Sequence, residues 1–529
     1  MSAIITEEFR KMSAQQLVSD VTSGSSSYFV GIGKSDPWID SDSDDEDSGD
    51  FGGIPTPTGS KIEKLEVLQN LQNIVKVDTA RAFRVIPRNL IVAGNKYKVY
   101  DPNDLTCFEA SGGLEPCYVT NSDRQLFICL RNTTGTDAVA AITADEIADL
   151  TAPNTVTGIN DSEFEGSDSD NNLYRGLVHP GYGDYIFAYV TTLDNTSEFF
   201  TTNWTEITNH DYSADTVTDI DSPSEATGGF LYGFTVTKAG SGYDNTGTLV
   251  VEVNARKTDG TNVTFASDDV SPIITVTTTV SDTIGAVEFV EDNILFHGLR
   301  KLDIVSASVT VHGGNGSGAI VKPLIAPLEG FGGDNLSLLP SYYVGLRADM
   351  EDNFDGQVTT YLPYRQISLI KDPVFTGTGG GAAYSDGDAA QCLRYFAGVN
   401  ANPVLTPGDR IWQGASGGAD AALIANEPVA YFDYYDGTAS RVYYHQNFND
   451  GQVPPRVNSL EFAASGTIKG GTQFTYSSVN ANEYSPFGLD SDAGFGGEEL
   501  NGDVVFVDNR EKVTRASGQN EELRLIIQF

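Results

Sequence analysis

Within its first eighty residues the chain changes the period of its apolar positions, from the spacing of a helix to that of a strand. Phe9, Met12, Leu17 and Val21 predict a helix over residues 6–21. Thr6 is placed to cap it, and Glu7 and Glu8 lie in the first turn, where carboxylates suit the helix dipole. A strand running to Ile32 follows. Ile62, Leu65, Leu68, Leu71 and Val75, three and four apart, predict a second helix over 60–74. Beyond it, Phe83-Arg-Val-Ile-Pro, Lys96-Tyr-Lys-Val-Tyr100 and Gln125-Leu-Phe-Ile-Cys-Leu130 read as strands broken by Gly, Asn and Asp. Residues 140–150 suit one more short helix. At the far end Leu523, Leu525, Ile527 and Phe529 share one face at period two, which predicts a strand tied into a sheet.

From about residue 229 the texture grows denser in Gly, Thr and Val. Leu249–Val253 and Asn262–Phe265 flank Thr258-Asp-Gly260, a hairpin signal. A second hairpin is predicted where Val429–Tyr435 meets Ser440–Tyr444 across Asp436-Gly437. The expected fold is mainly β: a β-sandwich core with a few short helices, interrupted by two inserted β-rich modules. The boundaries read this way are a first core part at 1–228, a β module at 229–328 and a second core part at 329–380. A second module at 381–500 and a C-terminal core strand at 501–529 complete them.

Length and charge narrow the function. At 529 residues the chain exceeds one comfortable hydrophobic core. Lys and Arg number 32 against 73 Asp and Glu, a net charge of −41, and such a surface repels phosphate backbones and anionic lipid. Neither nucleic acid nor membrane is therefore expected as a partner. No apolar run approaches the roughly 18 residues of a membrane span, and Met1–Phe9 lacks the basic-then-apolar order of a signal peptide. A soluble product made in a cytoplasm is expected. Cys107, Cys117, Cys129 and Cys392 are sparse and fit no zinc spacing, so buried, reduced thiols are expected.

Candidate chemistry is thin. Gly31-Ile-Gly-Lys-Ser35 ends like a phosphate-binding loop, but the motif needs Gly where Tyr28 stands, and Asp36-Pro37 opposes the helix that must follow. The acidic run Asp40–Asp47 has Asp45 where a calcium loop needs Gly, and it reads as a solvated loop, as does Asp168–Asn172. His179, His210, His297, His312 and His445 stand singly without metal spacing, and no Gly-x-Ser-x-Gly elbow occurs. With this many acids, any carboxylate pair for sugar hydrolysis can be nominated, so that signal is empty. The aromatics of 429–444 could stack on sugar rings, although alternating aromatics more often divide between core and cross-strand pairs. No catalytic, cofactor-binding or metal residues are expected, and no cofactor.

Several short segments, taken in order, resemble the baseplate wedge protein family of T4-type bacteriophages, the product of gene eight. Gly33-Lys-Ser-Asp-Pro-Trp38 is close to that family's Gly-Arg-Ser-Glu-Pro-Trp. Val75-Lys-Val77 and Val85-Ile-Pro-Arg88 follow, then Leu126–Arg131 and Gly183–Tyr189. Tyr364-Arg-Gln-Ile-Ser-Leu-Ile-Lys-Asp-Pro373 resembles Phe-Arg-Gln-Ile-Ser-Ile-Ile-Thr-Asn-Pro. Val507-Asp-Asn-Arg510 and Glu521–Phe529 resemble the family's closing segments. The likeness covers roughly 1–210, 335–375 and 500–529. It implies a non-enzymatic structural subunit of a contractile tail's baseplate wedge, assembled in the host bacterial cytoplasm. A homodimer and contacts with other wedge proteins are implied too. Trp38, Arg88, Arg365, Arg510 and Phe529 are the structural signature it points to, as core and turn positions. The alternative is a tail-tip protein whose segment 381–500 binds host-surface carbohydrate.

Overall fold

The computed structural model describes residues 6–35, 38, 54–102, 104–132, 139–150, 177–178, 185–209, 229, 231–243, 249–266, 274–279, 282–289, 304–312, 315–328, 331–350, 362–375, 382–383, 389–414, 428–445, 462–480, 502–514 and 520–529. The fold is mainly β, with several antiparallel sheets and a few short helices. The chain divides into two compact units. One comprises residues 1–15, 83–343 and 528–529, the other 16–82 and 344–527. These cuts differ from the boundaries read from composition.

In the first unit, strand Gln125–Asn132 lies between Tyr118–Thr120 and Tyr185–Thr192, with Leu177–Val178 beyond. Leu126, Ile128 and Leu130 enter one buried cluster, while Phe127 and Cys129 enter another. Burial on both faces explains why this strand reads as an unbroken apolar run. The region 231–325 has its own core, built on Val251, Val253, Ala255, Ile284, Val287 and Ile304. The predicted hairpin is present there, Val250–Lys257 pairing with Asn262–Ala266. The expected strand at 96–100 is absent. Tyr97 makes a single bridge to Glu115, and the tyrosines are buried instead by their own packing.

The second unit is built on a five-stranded sheet and a five-stranded module. Its labelled strands are β1 (Tyr28–Gly33), β2 (Leu71–Lys76), β3 (Tyr364–Lys371), β4 (Ala389–Gln391), β5 (Arg394–Ala397), β6 (Arg410–Trp412), β7 (Val429–Asp436), β8 (Arg441–His445), β9 (Ser478–Asn480), β10 (Asp503–Val513) and β11 (Glu521–Gln528). The first sheet runs β4-β2-β1-β3-β10, and the module runs β6-β7-β8-β5-β9. One row across the first sheet joins Ala389, Val75, Val30, Leu369 and Phe506. The segments around 30, 367 and 507, remote in sequence, are therefore adjacent strands. In β11, Leu523, Leu525 and Ile527 are buried and their neighbours are not, as the period-two pattern predicts, while Phe529 is half-buried.

Both N-terminal helices depart from expectation. Helix α1 spans Glu7–Ser23 and buries Ala14, Leu17 and Val21, leaving Phe9 at 58% and Met12 at 70% exposure. Helix α2 spans Lys61–Gln69 only. Asn70 ends it, and Leu71–Val75 continue as β2, because β1 offers hydrogen bonds that an isolated amphipathic turn cannot match.

The glycines that suggested a phosphate loop have a packing reason. Gly31 and Gly33 lie inside β1, where a Cβ on Gly31 would fall 2.6 Å from Leu71 Cδ2. On Gly33 it would meet the Asn70 carbonyl oxygen at 2.3 Å, the same oxygen that accepts from Lys34 N–H. Gly33→Ala should therefore push β2 away and cost about 1–3 kcal/mol. Urea denaturation should show the lower midpoint, and an unchanged midpoint would rule out this close approach.

Candidate functional site

The largest concentration of buried polar groups in the second unit lies where the chain leaves β1. Ser35, Arg365, Asp433 and His445 are each less than a tenth exposed. The Ser35 hydroxyl donates to Asp433 Oδ1 at 2.9 Å, and His445 Nδ1 lies 2.8 Å from the same oxygen. An Arg365 Nη1 donates to the Ser35 carbonyl oxygen. The Tyr431 ring stacks on the His445 imidazole, 5.5 Å between centroids at an angle of 20°.

Local structure explains how these groups meet. Tyr431 pairs with His445 and Phe432 with Tyr444, but the next pair is Tyr434 with Tyr443. Asp433 is thus the extra residue of a β-bulge, a position that re-aims a side chain. His445 closes β8 opposite Tyr431, two residues before Asp433. Ser35 comes from the turn after β1, where Lys34 adopts a left-handed φ of 61°. The joint therefore ties β1 and β3 of the sheet to β7 and β8 of the module.

Its chemistry favours holding over reacting. A nucleophilic serine needs a base to take its proton. Here the serine hydroxyl donates to a carboxylate that also faces the imidazole, so Asp433 stands between the two groups. Among the described residues Asp433 Oδ2 has no hydrogen-bond partner, so the carboxylate depends on the contacts at Oδ1.

The five signature residues separate into two sets. Trp38 Nε1 donates to the Arg510 carbonyl at 3.1 Å, and the Arg510 guanidinium pairs with Asp508. With Arg365 on Ser35, three of the five gather where β1, β3 and β10 adjoin. Arg88 and Phe529 belong to the other unit. Arg88 donates to the Thr201 carbonyl at 3.0 Å and covers the Phe200 ring at 4.4 Å. Phe529 N–H donates to Tyr342 and its oxygen accepts from Arg10. Further along β1, Lys371 of β3 binds Asp20 of α1 and holds its carboxyl well below the usual range. Burial, reinforced by that carboxylate, pushes the Tyr28 hydroxyl up to about 12.

The aromatic hairpin divides its rings between two faces. Phe396, Phe432 and Tyr444 enter a core closed by Phe462, Phe474 and Tyr476. On the other face Tyr434 stacks on Tyr443 at 4.3 Å, Tyr395 lies 5.5 Å from Tyr443, and the Arg441 guanidinium sits 4.4 Å over Tyr395. Among the described residues no group of His, Cys, Asp and Glu could hold a metal ion. All four cysteines are buried and none forms a disulfide. The two acidic runs, and His179, His210 and His297, lie outside the described residues.

Asp433→Ala should orphan the buried Ser35 hydroxyl and remove the carboxylate beside the His445 imidazole, at about 1–3 kcal/mol for the hydroxyl left unpaired. Asp433→Asn, which keeps an acceptor, should lose less. Fluorescence-monitored urea melts measure both, and an alanine variant as stable as the parent would refute the joint. No family model and no curated protein matches this chain.

Proposed function

We propose that this chain is a structural subunit of the baseplate wedge of a contractile-tailed bacteriophage. It acts through protein–protein interfaces in tail assembly and triggering, at the tail tip of the virion, as a homodimer and with other wedge proteins. The work is mechanical: specific interfaces hold a stored arrangement until a signal repacks them.

One observation carries the reading. The strands that hold or adjoin the segments resembling the wedge family (28–33, 364–371 and 503–513) are neighbours in one sheet, although more than a hundred residues separate each from the next. Short likenesses scattered by chance have no reason to converge on a shared hydrogen-bonded core. The polar groups gathered there support the same view, because each anchors a strand end or a turn. The alternative, a carbohydrate-binding module in 381–500, draws on the tyrosines of β5, β7 and β8. Their rings stack on one another, which favours a structural role for them.

Imaging intact particles at side-chain resolution tests the proposal. A pair of chains should occupy each of six equivalent positions around the tail tip, and density in the capsid shell or tail tube would reject the assignment.

A further inference from the structure

Two of the four cysteines, Cys107 and Cys117, share one apolar cluster in the first unit. Cys117 N–H donates to the Cys107 carbonyl at 2.8 Å. A backbone bond of this kind holds two Cα atoms on the order of 5 Å apart, as in a sheet ladder. That lies within the roughly 4.4–6.8 Å that a disulfide bridges. Both side chains enter the same apolar cluster, beside Tyr100, Phe108 and Tyr118. The Cys107 sulfur contacts the Asp101 carbonyl at 4.0 Å. Cys129 is close in the backbone, its N–H donating to the Cys117 carbonyl at 2.7 Å, but its side chain enters the cluster on the opposite face of the sheet. Its sulfur contacts the Arg131 carbonyl at 3.2 Å. The geometry therefore selects one pair from three neighbouring thiols.

We propose that Cys107 and Cys117 form a latent disulfide site, closed by a small peroxide.

The two sulfurs have different surroundings, and this sets the order of events. Cys107 sits in the single 3-10 turn Leu105–Phe108, capped by Asp104 and flanked by the exposed residues Thr106 and Glu109. Lys98 clamps this turn, its ammonium donating to the Thr106 and Glu109 carbonyls at 2.7 and 2.6 Å. Cys117 is wholly buried. The neighbouring Cys117 thiol pulls the Cys107 thiol down, while burial pushes the Cys117 thiol well up.

Cys107 is thus the attacking sulfur. Its thiolate displaces hydroxide from the peroxide as the O–O bond breaks, the hydroxide leaves as water after taking a proton, and a sulfenic acid remains. Cys117 then attacks that sulfur, forming the S–S bond and releasing a second water with the Cys117 proton. Two thiols and one hydrogen peroxide become one disulfide and two waters. The inference does not depend on the baseplate proposal. If that proposal holds, the pair stays reduced in the host cytoplasm and closes only in the released particle, where reductant is absent.

The test uses the purified full chain, reduced and then treated with hydrogen peroxide under native conditions. Remaining thiols are alkylated after denaturation and mapped by mass spectrometry. The expected result is loss of two of the four thiols, a peptide pair linked through Cys107 and Cys117, and recovery of both thiols with dithiothreitol. Cys117→Ser should instead accumulate a Cys107 sulfenic acid that dimedone traps. Four thiols surviving peroxide, a link through Cys129, or Cys107 driven to sulfinic acid while Cys117 stays reduced would each overturn the proposal. The parent chain alone yields these outcomes, so the inference remains open to refutation if the variant does not fold.

Discussion

Strand β3 is the constraint on which the second unit depends. Tyr364 through Ile370 are all buried, and both partners of the strand come from far away in sequence, β1 on one side and β10 on the other. Such a strand cannot satisfy its backbone locally, so the sheet exists only when all three segments are in place. The distances involved are less costly than they look. Doubling the length of a closed loop adds about 0.6 kcal/mol, whereas burying one Val, Leu or Ile contributes about 1.5–3 kcal/mol. A handful of apolar residues in β1 and β3 outweighs the penalty of hundreds of intervening residues. This is why extra β-rich sequence between the strands is compatible with the same sheet.

The polar joint at the end of β1 adds direction to that apolar framework. Apolar packing tolerates sliding, but a buried carboxylate that meets a hydroxyl and an imidazole does not. Removing one partner of such a cluster costs more than the intact cluster contributes, so its main effect is to fix geometry. Ser35 and Arg365 belong to the sheet, and Asp433 and His445 to the module. The cluster therefore holds the module in one register on the sheet.

How much of this was legible follows from range. Elements whose signals are local were readable: the hairpins at Asp259-Gly260 and Asp436-Gly437, the alternation in β11, and the capped helix start near Thr6. Residues 61–75 misled because their apolar spacing suits a helix throughout, while the strand half is set by pairing with β1. Phe9 and Met12 misled because an apolar side chain on a helix need not face that helix's own core. Of the signature residues, Trp38, Arg365 and Arg510 were flagged as core and turn positions; Trp38 donates to the Arg510 carbonyl within β10, and Arg365 to the Ser35 carbonyl just past β1. The polar joint was illegible, since Ser35 and Asp433 are 398 residues apart and His445 looked solitary. An aspartate inside an otherwise aromatic strand was its one visible sign.

The central claim is that β1, β3 and β10 form one cooperative body, and native-state hydrogen exchange across a denaturant series measures this directly. Peptides covering 28–33, 364–371 and 503–513 should lose protection together, at one denaturant concentration and with one opening free energy. If the 503–513 peptide exchanges freely while the other two remain protected, the sheet is not a single unit and the account fails.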